Sequence, residues 1–84
     1  MKTFTIYSKD NCPYCVLAKN LLTSLGAEYE EIDITATPGL IMDLVKRSGM
    51  RTVPQIYVDE TCLGGYTDIA ALHEKGKLIG KIGL

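Results

Sequence analysis

The feature that most narrows what this chain can fold into is the junction at residues 10–15, Asp-Asn-Cys-Pro-Tyr-Cys. An apolar run (Phe4, Ile6, Tyr7) leads straight into it, and a helical pattern (Val16, Leu17, Leu21, Leu22, Leu25) leads straight out. A strand, a tight turn and a helix in that order put Cys12 at the helix N-cap. Pro13 falls in the first turn, where its missing N–H would have had no intrahelical partner anyway. Cys15 then comes back to face Cys12 one turn later. The free N–H groups and the macrodipole at a helix start favour negative charge. A thiolate on Cys12 is therefore stabilised, and the thiolate is the reactive form of cysteine. Lys9 adds positive charge three residues upstream.

The remaining sequence continues the alternation of strand and helix. Residues 3–7 read as a first strand, largely apolar and so central in its sheet. Residues 13–25 read as a helix with Gly26 at its C-terminal cap. Residues 31–35 alternate, Ile32 and Ile34 against Glu31 and Asp33, as a half-buried strand does. Thr37 and Pro38 open a second helix as N-cap and first-turn proline. Leu40, Ile41, Leu44 and Val45 form its buried stripe, Lys46 and Arg47 complement its dipole, and Gly49 stops it. Residues 55–58 and 61–63 are strands around an Asp59-Glu60 turn, a hairpin. A third helix follows Gly64-Gly65, capped by Thr67 or Asp68, carrying Ile69 and Leu72 and ending at Gly76. The tail, residues 77–84, is apolar enough to dock on the sheet as a short helix. In this order, β-α-β-α-β-β-α, the first two strands are joined by a crossover and so run parallel, while the hairpin adds antiparallel strands. The class is α/β: a four-stranded mixed sheet flanked by helices.

Eighty-four residues suffice for a single domain, here 1–84. A net charge of −1 gives no general attraction to nucleic acid or to an acidic membrane, so local basic residues must do any anion binding. No apolar run approaches the ~20 residues that cross a bilayer, and the first residues lack a signal-peptide core. These features predict a chain in a reducing compartment, where a cycling disulfide is plausible and a permanent one is not.

Three stretches carry candidate chemistry. Cys12 and Cys15 form a C-x-x-C that reads as a thiol–disulfide redox centre in this strand-to-helix setting. The competing reading is half a metal site. Zinc wants four ligands, and the other candidates, Cys62 and His73, lack paired spacing; Cys62 reads better as a small buried hydrophobe and His73 as a complement to a helix C-terminus. No metal is expected. The second stretch is Arg51-Thr52-Val53-Pro54, a proline just before a strand, trans by the general preference of X–Pro bonds. The third is Gly64-Gly65-Tyr66-Thr67-Asp68. Its glycines allow close approach of backbone and ligand, and the helix start aims N–H groups at an anion; a plain turn and cap account for it equally well.

Taken together, Tyr7-Ser8-Lys9, Cys12-Pro13-Tyr14-Cys15, Thr52-Val53-Pro54 and Gly64-Gly65-Tyr66-Thr67-Asp68, in this order and spacing, resemble a dithiol glutaredoxin over nearly the whole chain. The resemblance implies the thioredoxin fold, sheet order 2-1-3-4 and a cis Val53–Pro54 bond. It also implies glutathione as co-substrate, with Cys12 as nucleophile and Cys15 as resolving thiol. Tyr14 would lie beside the glutathionyl sulfur and the Val53 backbone would pair with the tripeptide. Thr67 and Asp68 would hold its γ-glutamyl end, Gly65 would make room, and Lys9 would face its glycine carboxylate.

Two departures stand out. Ile41 occupies a position where many family members carry a polar residue for that carboxylate, leaving Lys9 alone or with Arg51. Tyr66 replaces a small residue after the two glycines, and would wall the groove or meet a partner. The implied activity is glutathione-dependent thiol–disulfide exchange in a cytoplasmic monomer. Its partners would be glutathionylated or disulfide-containing proteins, ribonucleotide reductase among them, with no nucleic acid and no membrane. The alternatives are a thioredoxin-like reductase recharged by a flavoprotein, and a module holding a metal or iron–sulfur cluster on its thiolates.

Overall fold

The computed structural model describes residues 3–37 and 39–82. In chain order the elements are β1 (Phe4–Ser8), α1 (Pro13–Ser24), β2 (Tyr29–Asp33), α2 (Leu40–Ser48), β3 (Gln55–Val58), β4 (Thr61–Gly64), α3 (Tyr66–Glu74) and a 3-10 turn, Ile79–Ile82. The sheet order is β2-β1-β3-β4. β1 and β2 are parallel, Phe4 opposite Tyr29 through Ser8 opposite Asp33. β3 runs antiparallel to β1, and β4 to β3. This is the sheet that the resemblance implied, and the two most apolar strands lie at its centre.

Period-two alternation divides the central strands between two cores. Phe4 and Ile6 of β1 and Ile56 and Val58 of β3 face α1 and α3, where they bury Ala18, Leu22 and Ile69. Tyr7 and Tyr57 point the other way, onto Leu44 of α2. Helices α1 and α3 therefore cover one face and α2 the other. Arg47 closes the smaller core: its guanidinium donates to the Tyr7 hydroxyl at 3.1 Å and lies 4.6 Å from the centre of the Tyr57 ring. Each fully buried Leu, Ile or Phe contributes about 1.5–3 kcal/mol. A partly exposed ion pair such as Lys19–Glu31, at 3.0 Å, contributes about 0–1. The sheet and α1 are held together by apolar packing, and the charged pairs are free to serve other ends.

Several boundaries differ from the sequence expectation. The first strand runs one residue further, to Ser8. β2 starts and ends two residues earlier than the expected 31–35, because the Asp33 carboxylate accepts the Thr35 N–H at 2.8 Å and turns the chain out of the sheet. The N-cap of α2 is Gly39, in a left-handed conformation (φ 88°), and not Thr37, whose carbonyl instead accepts the Leu40 N–H; the expected first-turn Pro38 lies outside the described residues. α3 begins at Tyr66 with Gly65 as N-cap, ahead of the expected Thr67 or Asp68. The tail docks as expected through Leu78, which is fully buried in the larger core; residues 83 and 84 of that expected segment lie outside the described residues. Among the described residues no helix is long and apolar enough to cross a membrane.

Candidate active site

Cys12 caps α1. Its backbone is extended (φ −115°, ψ 100°), its carbonyl accepts the first intrahelical bond from Val16, and its sulfur accepts the Cys15 N–H at 3.2 Å. Asn11 just before it adopts a positive φ of 55°, a conformation that asparagine tolerates better than most residues. The turn can therefore swing the chain from the sheet into the helix without a glycine. Cys12 retains 9% of its exposure and Cys15 only 1%. Burial, and then the hydrogen bond with Cys12, push the Cys15 thiol up to about 11; a backbone hydrogen bond with Lys9 and the charge of Lys19 pull against that rise. The two residues are thus unequal: Cys12 is nearly buried but keeps a little exposure on the helix start, while Cys15 is closed off beneath it and its thiol is pushed up.

From this pair a groove of about 350 Å³ runs along the surface between the residues that precede β3 and the start of α3. Thr52, Val53 and Pro54 line one side and Gly65, Tyr66, Thr67 and Asp68 the other, with Tyr14 and Met50 completing it. The Cys12 sulfur lies 3.9 Å from the Val53 carbonyl oxygen, so it stands at one end of the groove. The Val53–Pro54 bond is cis. The far end is the N-terminus of α3, whose first N–H groups have no helical partner. One of the donors there is satisfied internally: the Asp68 carboxylate reaches back to accept the Gly65 N–H at 2.9 Å, which is why the helix starts earlier than a side-chain cap at Thr67 would allow. The Tyr14 and Tyr66 rings, 6.1 Å apart and tilted by 35°, form an aromatic wall. The arrangement suits an extended ligand that keeps an anionic group at the α3 end and brings a sulfur to the Cys12 end.

The glutaredoxin family model matches residues 4–63. The chain belongs to the glutaredoxin family. It is 42% identical to the glutaredoxin of Neisseria meningitidis over 81 residues, 95% of each protein. Among solved structures, the solution structure of glutaredoxin from Brucella melitensis is 44% identical, with a TM-score of 0.86 over 98% of this chain and 89% of that one. The crystal structure of the buckwheat glutaredoxin–glutathione complex is 28% identical, with a TM-score of 0.90 over 96% of this chain and 76% of that one. The fold is the thioredoxin fold of these proteins, and the chain is a glutathione-dependent thiol–disulfide oxidoreductase.

Of the twelve site residues singled out in the sequence of this glutaredoxin, eight line the groove and four do not: the two cysteines, Lys9 and Arg51. Lys9 lies on a second cavity, on the other side of the thiol pair between the Cys12 turn, α1 and β2. Arg51 is exposed next to the groove. Ile41, the departure noted above, packs against the Tyr7–Leu44–Tyr57 core, which explains an apolar residue there. Cys62, expected as a small buried hydrophobe, packs against the same core but is half-buried. His73 is exposed in the last turn of α3. Among the described residues no group of three or more His, Cys, Asp or Glu side chains could hold a metal ion.

The sequence reading missed Met50 and Gln55. Gln55 is fully buried at the start of β3, and its amide NH₂ donates to the carbonyls of Met50 and Thr52, each at 3.0 Å. Its carbonyl oxygen accepts from Ser48 and Tyr57 at 3.1 and 3.2 Å. It therefore ties down the loop that presents Thr52 and Val53. The only signal in the sequence was a lone polar residue heading an apolar strand.

The fold itself demands glycine at position 64. Gly65 has ordinary extended backbone, and a Cβ there would lie 3.4 Å from the Pro54 oxygen, a normal contact. Gly64 has φ +110°, and a Cβ there would come within 2.6 Å of Asp68 Cγ. Gly64→Ala is expected to lower stability by about 1–3 kcal/mol from backbone strain and to push Asp68 off the Gly65 N–H. Chemical denaturation together with the Michaelis constant for glutathione checks both halves of this expectation; an unchanged pair of values would contradict it.

Proposed function

We propose that this glutaredoxin reduces protein disulfides by a dithiol route and glutathionylated proteins by a monothiol route, with residues 1–84 acting as one domain and a monomer. The observation that supports it best is the position of the Cys12 sulfur on the α1 N-terminus, at the end of a groove that closes on the α3 N-terminus. Cys12 attacks a disulfide sulfur as thiolate; a Cys12–target bond forms, the target's S–S bond breaks, and the departing thiolate takes up a proton. With a protein dithiol target, Cys15 then loses its proton and attacks Cys12, releasing the second target thiolate and leaving the Cys12–Cys15 disulfide. Two glutathione molecules restore the dithiol and leave as glutathione disulfide. With a glutathionylated target, Cys12 takes the glutathionyl group alone, and a second glutathione removes it. Glutaredoxin couples near −200 to about −230 mV sit close to the glutathione pool, so the cycle runs in either direction.

In this reading glutathione lies along the groove. Its backbone pairs with Val53 next to Pro54 and Thr52, and its γ-glutamyl end meets Thr67 and Asp68, the carboxylate facing the free N–H groups of α3 beside Gly65 and the ammonium facing the Asp68 carboxylate. Tyr14 and Tyr66 wall the cysteinyl portion. With Ile41 engaged in the core, the glycine carboxylate is left to the exposed cations Lys9 and Arg51. Each chain carries both thiols and the whole groove, so a monomer suffices. Glutathione recharging fits a cytoplasmic setting, and ribonucleotide reductase is a candidate among protein targets because its turnover leaves a dithiol oxidised.

The deciding experiment is a coupled assay with glutathione, glutathione reductase and NADPH, run on a glutathionylated peptide and on a protein disulfide. NADPH consumption with both substrates is the expected result. Consumption only when a flavoprotein thioredoxin reductase replaces the glutathione system would overturn the reading in favour of a thioredoxin-like reductase.

A further inference from the structure

The cavity of about 550 Å³ behind the thiol pair shares no lining residue with the groove. Cys15 lies at its floor with Cys12, and its walls carry charge from every element around it: Lys9 and Asp10 from the turn, Lys19 from α1, and Glu31 and Asp33 from β2. Lys19 follows Cys15 by four residues on the same helix. Side chains on a helix lean toward its N-terminus, so Lys19 is carried back over Cys15. It is also held there. Its ammonium donates to Glu31 Oε2 at 3.0 Å, and the same oxygen accepts the Ser8 hydroxyl at 2.7 Å from a residue only 2% exposed. Asp33 is turned to its own neighbour, accepting from the Thr35 N–H and hydroxyl.

We propose that Lys19, fixed by Glu31 and Ser8, is a positioning residue for the resolving step, holding a positive charge where the Cys15 thiolate must form before it attacks Cys12. The inference rests on the dithiol route proposed above and deepens it. Resolution needs a proton to leave Cys15, and burial makes that ionisation costly. Water in the polar cavity takes the proton, and the Lys19 ammonium offsets part of the cost of the charge left behind. The electrostatics of the pair agree in direction: the Lys19 charge favours the Cys15 thiolate, though burial and the hydrogen bond with Cys12 weigh more on that thiol. Lys9 lies on the same cavity but is exposed, whereas Lys19 is half-buried and paired with Glu31, so Lys19 is the one assigned the role.

The test compares Lys19→Gln with Lys19→Arg. For a partly exposed charge, protein-disulfide reduction by Lys19→Gln at neutral pH is expected to fall about three- to tenfold. Removing a cation makes the anion harder to form, so its pH profile should move to higher pH by about half a unit to one unit. Lys19→Arg should restore both. Deglutathionylation, which does not use Cys15, should stay within about twofold in either variant, showing that the glutathione-dependent reading holds whatever becomes of Lys19. An unshifted pH profile in Lys19→Gln, or an equal loss of both activities, would overturn the proposal. A second measurement needs no Lys19 variant. In Cys12→Ser protein, the pH midpoint for alkylation of Cys15 should rise as salt is raised from about 0.01 to 1 M, because the Debye length shrinks from about 30 to 3 Å. A salt-independent midpoint would overturn the proposal as well.

Discussion

Cys12→Ser abolishes protein-disulfide reduction and deglutathionylation together, each falling by about 10³-fold or more, as when the nucleophile of a covalent route is removed. Both routes begin with the same sulfur, so neither survives. The substitution separates chemistry from folding cleanly. Serine is a preferred N-cap, and its hydroxyl can accept the Cys15 N–H that the Cys12 sulfur accepts at 3.2 Å. The unfolding midpoint should therefore shift by no more than a few degrees while activity disappears. The two rates are read in the coupled glutathione assay, and the fold by thermal denaturation. Activity retained in either assay would mean that the attacking sulfur is not Cys12.

Cys15→Ser splits the two activities instead. Protein-disulfide reduction should fall about 100-fold or more, because the mixed disulfide on Cys12 has no neighbouring thiol to displace the target. Deglutathionylation should stay within about twofold of the parent. The asymmetry follows from position: Cys15 is 1% exposed and lies beneath Cys12, so no target disulfide reaches it, and its work is confined to the sulfur above. An equal loss of both activities would refute this division of labour. Trapping a protein target as a mixed disulfide on the Cys15→Ser protein would support it and identify the physiological partner by mass spectrometry.

The order of elements, the parallel pairing of β1 with β2 and the cap at Cys12 were legible because each rests on local chemistry: period-two and helical spacings, a proline tolerated only in a first turn, and a cysteine where a cap belongs; the strand order of the whole sheet came from the family resemblance. What escaped depends on contacts made across the fold. Gly65 replaces Thr67 or Asp68 as the cap of α3 because the Asp68 carboxylate turns back on the chain, and spacing alone does not reveal which way a side chain turns. β2 is displaced because the Asp33 side chain captures the Thr35 N–H, ending a strand whose alternation would have allowed it to continue. Ile41 looked like a gap in a binding site and is a piece of the second core, packed with Leu44 and the two tyrosines. Lys9 was read from its distance to Cys12 along the chain and from the family resemblance; only the fold shows that it borders the cavity behind the thiols. Lys19 drew no attention because one lysine on a helix surface resembles any other until β2 brings Glu31 beside it.

Gln55 carries a consequence for how this chain can change over time. Its two amide hydrogens and its oxygen are all engaged, with four partners drawn from α2, β3 and the loop between them. A glutamate has no hydrogens to offer the two carbonyls, and a leucine strands them in the dark of the interior. Few side chains can meet these demands, although the position does not line the groove. A survey of substitutions scored only by activity would mistake it for part of the chemistry.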